Sequence, residues 1–252
     1  SLLILLIMNK IVFLWTGSRC LSTAFERAHC ERNDCKIYHE PFGQPYYFGD
    51  DKKSNRFKEK KNTSFLKVYN DIFNREQIID KYIFVKDMAY YIDFLLDNPL
   101  ELFPKFIDSN ITHTFLIRHP QKSINSLYLK SCIDNKETNW KYFDEIEAGF
   151  KSLYKLWKFL DSKNIKTIIV DADYLLENPT YIMNLYCEKI EIPINNNMCY
   201  WEKRNISEFD LWPGWHNDVL NSNGIIQKNI TNELPDIDKL PDNVKNIIYE
   251  SI

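Results

Sequence analysis

The sequence predicts an α/β protein, a three-layer sandwich with a mainly parallel central sheet. Apolar runs rich in Ile, Val and Phe (Ile11 to Trp15, Lys36 to His39, Tyr82 to Lys86, Ile111 to Ile117 and Ile165 to Val170) alternate with segments of helical character. Strands joined by such long crossovers pair in parallel, and the crossover helices cover both faces of the sheet. No internal repeat, low-complexity tract or linker divides the chain, so residues 8–252 read as a single domain. Residues 1–7 (SLLILLI) read as an upstream or clipped extension, because Met8 makes a natural start and the apolar run is too short to span a membrane.

Taken in order, Ile11 to Trp15 is a buried strand, and Thr16-Gly17-Ser18-Arg19-Cys20-Leu21-Ser22-Thr23 is the turn that leaves it. Helix formers follow from Ala24 to Arg32, with Thr23 and Glu26 spaced as a capping box. A strand, a tight turn and a helix N-terminus present several backbone N–H groups to one point, which suits an anion such as phosphate. The GxxxxGK[ST] loop of nucleotide hydrolases is absent from the chain. The strand Ile111 to Ile117 runs into Arg118-His119-Pro120 and a helix from Gln121 towards Lys130. Ser126 stands eight residues after Arg118, so both side chains can face one crevice beside the strand ends. From Lys141 to Ser162 a helix is expected, since Phe143, Ile146, Phe150, Leu153, Trp157 and Leu160 form one apolar stripe that reads as core. Asn178-Pro179 starts the next helix, to about Ile190, and Val244, Ile247 and Ile248 mark a last one.

Composition narrows the class of partner. A chain of 252 residues with 44% hydrophobic content can bury a sizeable core, and a net charge of −3 argues against nucleic acid as a partner. The six cysteines show no CxxC pair and read as reduced thiols, as in a cytoplasmic protein, with a Golgi-type anchored enzyme as the alternative. No stable membrane insertion is expected, and oligomeric state is not legible. The stretch Asp51 to Lys61 carries six basic residues and reads as a solvated loop rather than a lid for an acidic substrate.

These motifs resemble the P-loop sulfotransferases. Ser18-Arg19-Cys20-Leu21-Ser22-Thr23 is similar to that family's Pro-Arg-Ser-x-Ser-Thr loop, with Ser18 in place of the proline and Cys20-Leu21 in place of the usual small pair. His39-Glu40-Pro41-Phe42, Phe84-Val85-Lys86-Asp87-Met88-Ala89, Phe115-Leu116-Ile117-Arg118-His119-Pro120 and Val170-Asp171-Ala172-Asp173-Tyr174-Leu175 follow in the family's order. Trp201, Trp212, Trp215 and His216 resemble the Trp-rich C-terminal segment of one subgroup, some of whose members carry a branched-chain aminotransferase-like name. No lysine here has a recognisable pyridoxal phosphate context.

The resemblance implies a P-loop NTPase-like sulfotransferase fold. It also implies the co-substrate PAPS (3′-phosphoadenosine 5′-phosphosulfate, product PAP), a small-molecule acceptor and no metal. Arg19, Cys20, Leu21, Ser22, Thr23 and Ala24 would then hold the donor's 5′-phosphate, and Arg118 with Ser126 its 3′-phosphate. Sulfuryl transfer spreads charge over peripheral and bridging oxygens, so Arg19 is assigned to the bridging oxygen and Lys86 to the sulfonate. Glu40, 21 residues after Arg19, is the candidate proton acceptor, held extended by Pro41, with His39 and Asp87 as rivals. Lys203 and Arg204 remain unassigned. A nucleotide-dependent phosphotransferase or hydrolase, and a catalytically silent nucleotide-binding protein, are the alternatives.

Overall fold

The computed structural model describes residues 10–74, 82–97, 103–108, 110–227 and 233–252; the expected extension at residues 1–7 lies outside these described residues. Five strands, β1 (Lys10–Thr16), β2 (Cys35–His39), β3 (Tyr82–Met88), β4 (Ile111–Ile117) and β5 (Thr167–Asp171), form one sheet in the order β2-β3-β1-β4-β5. Every neighbouring pair is parallel. The chain leaves β1 towards one edge of the sheet and leaves β3 towards the other. A crevice therefore opens at the carboxyl ends of the central strands, where open α/β sheets bind ligands.

Alternation along β1 divides the core into two layers. Ile11, Phe13 and Trp15 pack with α2 (Gly43–Phe48), α3 (Phe65–Phe73) and the helix Phe150–Ser162. Val12 and Leu14 face the opposite side, against α1 (Ser22–Cys30) and the helix Pro179–Lys189, which Asn178 caps by accepting from Tyr181 N–H at 3.3 Å. A third cluster joins the helix Pro120–Tyr128 to the last helix, Asp242–Glu250, through Ile124, Leu127, Val244 and Ile248.

One expected element is broken. The helix predicted over 141–162 runs only from Phe150 to Ser162, behind a 3₁₀ turn at Ile146–Ala148 and a left-handed Gly149 (φ 84°). Contact with the β1–α1 turn accounts for the break. A Cβ on Gly149 would lie 2.9 Å from Gly17 Cα, and one on Gly17 would lie 2.6 Å from Ala148 O. Phe143 and Ile146 consequently leave the core stripe, and Ile146 is exposed. No described helix is long and apolar enough to cross a membrane.

Candidate active site

The turn after β1 carries two non-glycine residues in the left-handed region, Arg19 (φ 60°) and Leu21 (φ 73°). Such residues are uncommon and persist where the surroundings hold them. Left-handed residues beside a helix start form concave N–H nests suited to anions. Helix α1 begins at Ser22 with no side-chain cap. The expected Thr23/Glu26 capping box does not form: Thr23 Oγ1 lies 3.1 Å from His216 Nδ1, and Glu26 Oε2 lies 2.7 Å from His39 Nδ1. Glu26 is wholly buried, and its carboxylate is turned to His39 rather than to the helix start. The uncapped N-terminus instead opens onto a cavity lined by Ser18, Arg19, Leu21, Ser22, Thr23 and Ala24.

Lys86 enters this cavity from β3 and Glu40 from the end of β2. The two form a buried ion pair through Lys86 Nζ and Glu40 Oε1, while Glu40 Oε2 accepts from Tyr91 Oη at 2.9 Å. Burial alone would raise the Glu40 carboxyl, but Lys86, with lesser help from His39 and His216, pulls it down to about 2. Glu40 is not extended, as the following Pro41 suggested; it sits at φ 44° with its N–H donating to Lys86 O at 2.7 Å. That bond continues the ladder in which His39 faces Lys86, and the pairing outweighs the local preference before proline.

The two rivals for Glu40 lie off the cavity. Asp87 Oδ2 accepts from Phe42 N–H and Oδ1 from Met88 N–H, both at 3.0 Å, which pins the Glu40–Phe42 turn to β3. Burial holds its carboxyl well above the ordinary range. Alternation turns His39 away from Glu40 onto Glu26, where burial pulls the imidazole down to about 3.

The two predicted anion sites converge. Arg19 Nε donates to Ser126 Oγ at 3.0 Å, and Arg118 Nη1 donates to Arg19 O at 3.1 Å. Arg118 lines the cavity and keeps Nε buried without a partner, an open donor of the kind an anion satisfies. Cys20 and Ser126 do not line the cavity; Cys20 is fully buried with Sγ 3.6 Å from Ser18 O, and burial raises its thiol to about 11. Arg204 pairs with Glu31 at 3.0 Å, and neither it nor Lys203 reaches the cavity.

Sequence reasoning did not assign the rest of the lining. Trp212, Trp215, His216, Asp218 and Val219 complete the cavity together with Met88, Tyr90, Tyr91 and Trp140. Trp215 O lies 3.4 Å from Arg19 Nη1, the Arg19 guanidinium sits 5.8 Å from the Trp215 ring centroid, and Asp218 stands 3.9 Å away. The Trp-rich segment was visible in the sequence, but nothing in its spacing said that it folds back over the first loop.

A five-stranded parallel sheet with Arg19, Lys86 and Arg118 at its carboxyl edge, and no GxxxxGK[ST] loop, defines an α/β fold of the P-loop NTPase-like kind. The sulfotransferase domain family matches residues 9–247, and the chain belongs to that family. In fold it is similar to the sulfotransferase domain from the curacin biosynthetic pathway, with a TM-score of 0.57 at 13% identity over 96% of this chain and 97% of that one. It is also similar to the sulfotransferase domain of the Synechococcus PCC 7002 olefin synthase, with a TM-score of 0.56 at 12% identity over 96% and 94% of the two chains. In sequence it is 24% identical over 224 residues to branched-chain-amino-acid aminotransferase-like protein 2 of Arabidopsis thaliana, and 23% to protein 1. The match covers 85% of this chain, which spans only 36% of the length of either relative.

Proposed function

We propose that this chain transfers a sulfuryl group from PAPS to a hydroxyl or amine of a small acceptor. One observation carries the reading: Arg19, Lys86 and Arg118, arriving from three different strand ends, surround the same cavity as an uncapped helix N-terminus. Such a cluster suits a ligand carrying more than one anionic group. The donor's 5′-phosphate and bridging oxygen would lie on the 18–24 turn beside Arg19, and its 3′-phosphate against Arg118, while Ser126, off the cavity, holds Arg19 through Nε. The open Nε of Arg118 supports that placement.

In the transfer, the acceptor oxygen or nitrogen bonds sulfur as the bond from sulfur to the bridging oxygen breaks, and the electron pair leaves with PAP. Arg19 would meet the charge growing on the leaving oxygen, and Lys86 the sulfonate oxygens. To do so Lys86 must exchange Glu40 for the sulfonate. That exchange would leave the Glu40 carboxylate without its cationic partner, beside the group that loses its proton. Calorimetric titration with PAP and with ATP plus magnesium tests the donor. Binding of PAP and not of ATP is expected; preference for ATP with magnesium would replace this reading with a nucleotide phosphotransferase or hydrolase. A screen of metabolite pools with labelled PAPS would find the acceptor.

A further inference from the structure

We propose that His216 is the proton acceptor of this site, with its Nε2 taking the proton of the acceptor group and the Glu40 carboxylate balancing the imidazolium that forms. The inference rests on the sulfuryl-transfer reading and assigns a role within it. His216 lines the cavity together with Glu40, Lys86, Arg19 and Thr23, and only 6% of its surface is exposed. Its Nδ1 is engaged by Thr23 Oγ1 at 3.1 Å, while Nε2 is buried with no partner. Each Glu40 oxygen already accepts one bond, from Lys86 and from Tyr91. A general base needs an available lone pair, and His216 Nε2 carries one to which no side chain donates.

The turn itself selects the required tautomer. When a donor phosphate occupies the α1 N-terminus, the Thr23 hydroxyl gives its proton to a phosphate oxygen, so it can only accept from His216. Nδ1 then carries the ring proton and Nε2 is left as a bare lone pair. Donor binding would thus prepare the base before the acceptor reacts. As the acceptor oxygen bonds sulfur, its proton moves to Nε2, the bridging S–O bond breaks, and PAP keeps the electron pair. The imidazolium then returns the proton to solvent.

Four charged or titratable groups face this ring from the elements around it. Burial keeps the imidazole neutral, well below its ordinary value, and His39, Lys86 and Arg19 push the same way while the Glu40 carboxylate opposes them. His39, whose ring centroid lies 4.9 Å from that of His216, is itself held by Glu26. When Lys86 turns to the sulfonate, the Glu40 carboxylate is left to stabilise the new imidazolium.

The test is ¹⁵N NMR of the full chain labelled at its histidines, with and without PAP, using His216→Asn to assign the resonances. An asparagine amide can still bond Thr23 but offers no Nε2. In the PAP complex His216 should carry its proton on Nδ1 with Nε2 bare. Turnover of PAPS with an identified acceptor should fall about 10²–10⁴-fold in His216→Asn, with PAP affinity held within a few-fold. A PAP complex in which Nε2 is protonated, or an Asn variant with near-normal turnover, would overturn the assignment and return the role to Glu40. Failure of the wild-type chain to bind PAP at all is a different result and would overturn the donor reading itself.

Discussion

Two buried polar clusters stand side by side in this molecule and differ in one respect. In the first, Glu147 accepts from Arg56 Nε at 2.6 Å, from Arg56 Nη2 and from Tyr47 Oη at 2.9 Å, and Tyr47 Oη in turn lies 3.1 Å from Tyr90 Oη. Arg56 Nη1 donates to Tyr142 O at 3.2 Å, and the guanidinium lies 4.1 Å from the ring centroids of both Trp140 and Tyr142. No buried side-chain polar atom of that cluster lacks a partner. In the second, around Arg19, Lys86, Glu40 and His216, Arg118 Nε and His216 Nε2 are buried and open. A closed network fixes shape, whereas an open one waits for a ligand. Both clusters touch the same wall, since Trp140 and Tyr90 belong to the cavity.

The sharpest way to test the contrast is to open the closed cluster. Glu147→Ala leaves the Arg56 guanidinium buried and unpaired, so it should cost about 3–5 kcal/mol of stability in urea unfolding. Replacing both partners by apolar residues, Arg56→Met with Glu147→Leu, should recover much of that loss, because no buried charge is then orphaned. A single variant within 1 kcal/mol of wild type would show that water reaches Arg56 and that the cluster is not closed. Arg56 also corrects the sequence reading of residues 51–61: Lys58 to Lys61 are solvated as expected, but Arg56 is an internal strut.

Within the open cluster the pattern should invert. Arg19→Ala removes a donor aimed at charge that grows only during transfer, so kcat should fall about 10²–10³-fold, roughly 2.7–4 kcal/mol, with a smaller change in PAPS affinity. Stability should move far less than in Glu147→Ala. A loss confined to PAPS affinity would make Arg19 a ground-state anchor.

Arg118→Ala should have a smaller effect still. Removing one charge-assisted contact costs about 1.5–3 kcal/mol, or one to two orders of magnitude in PAP affinity. A nucleotide lacking the 3′-phosphate should bind about as before. Equal losses for both nucleotides would mean that Arg118 supports the loop through Arg19 O rather than holding the 3′-phosphate.

What the sequence disclosed follows the same division. The strands, the first loop and the order of motifs were legible because each rests on local periodicity or a short run of residues, and the sheet is parallel throughout as the spacing implied. Contacts across the fold were not legible. Gly149 breaks a strong helical pattern only because Gly17 lies against it, and the glycine was the sole local hint. Thr23 and Glu26 matched a capping box, yet each is drawn to a histidine from a distant segment. Glu40 precedes proline and still adopts a positive φ, because its backbone N–H completes the pairing with Lys86. His216 stood in view among tryptophans, with nothing in its neighbours to show that it faces Lys86.

The smallest effect sets His216 against another histidine. His113 is also buried, but both ring nitrogens are taken: Trp15 Nε1 donates to Nδ1 at 2.9 Å, and Nε2 lies 2.7 Å from Phe106 O. A carbonyl can only accept, so Nε2 carries the proton and Nδ1 is the acceptor. Protonating Nδ1 would set two N–H groups against each other. Burial, only partly offset by the Phe106 carbonyl, lowers its pKa to about 4. The ordinary value is about 6.5. The folded value lies below the unfolded one, so the stability it contributes is complete above about pH 6.5 and declines as pH falls towards 4. Between pH 7.5 and about pH 5 that decline should amount to about 1–2 kcal/mol from this residue, by linkage. His113→Gln should be less stable at neutral pH but should flatten the acid slope by about that amount, read from urea midpoints across the range. Binding of PAP should leave the His113 contribution unchanged while altering the protonation of His216. An unaltered acid slope in His113→Gln would show that the acid sensitivity lies in other buried histidines, such as His29 or His216, and not in His113.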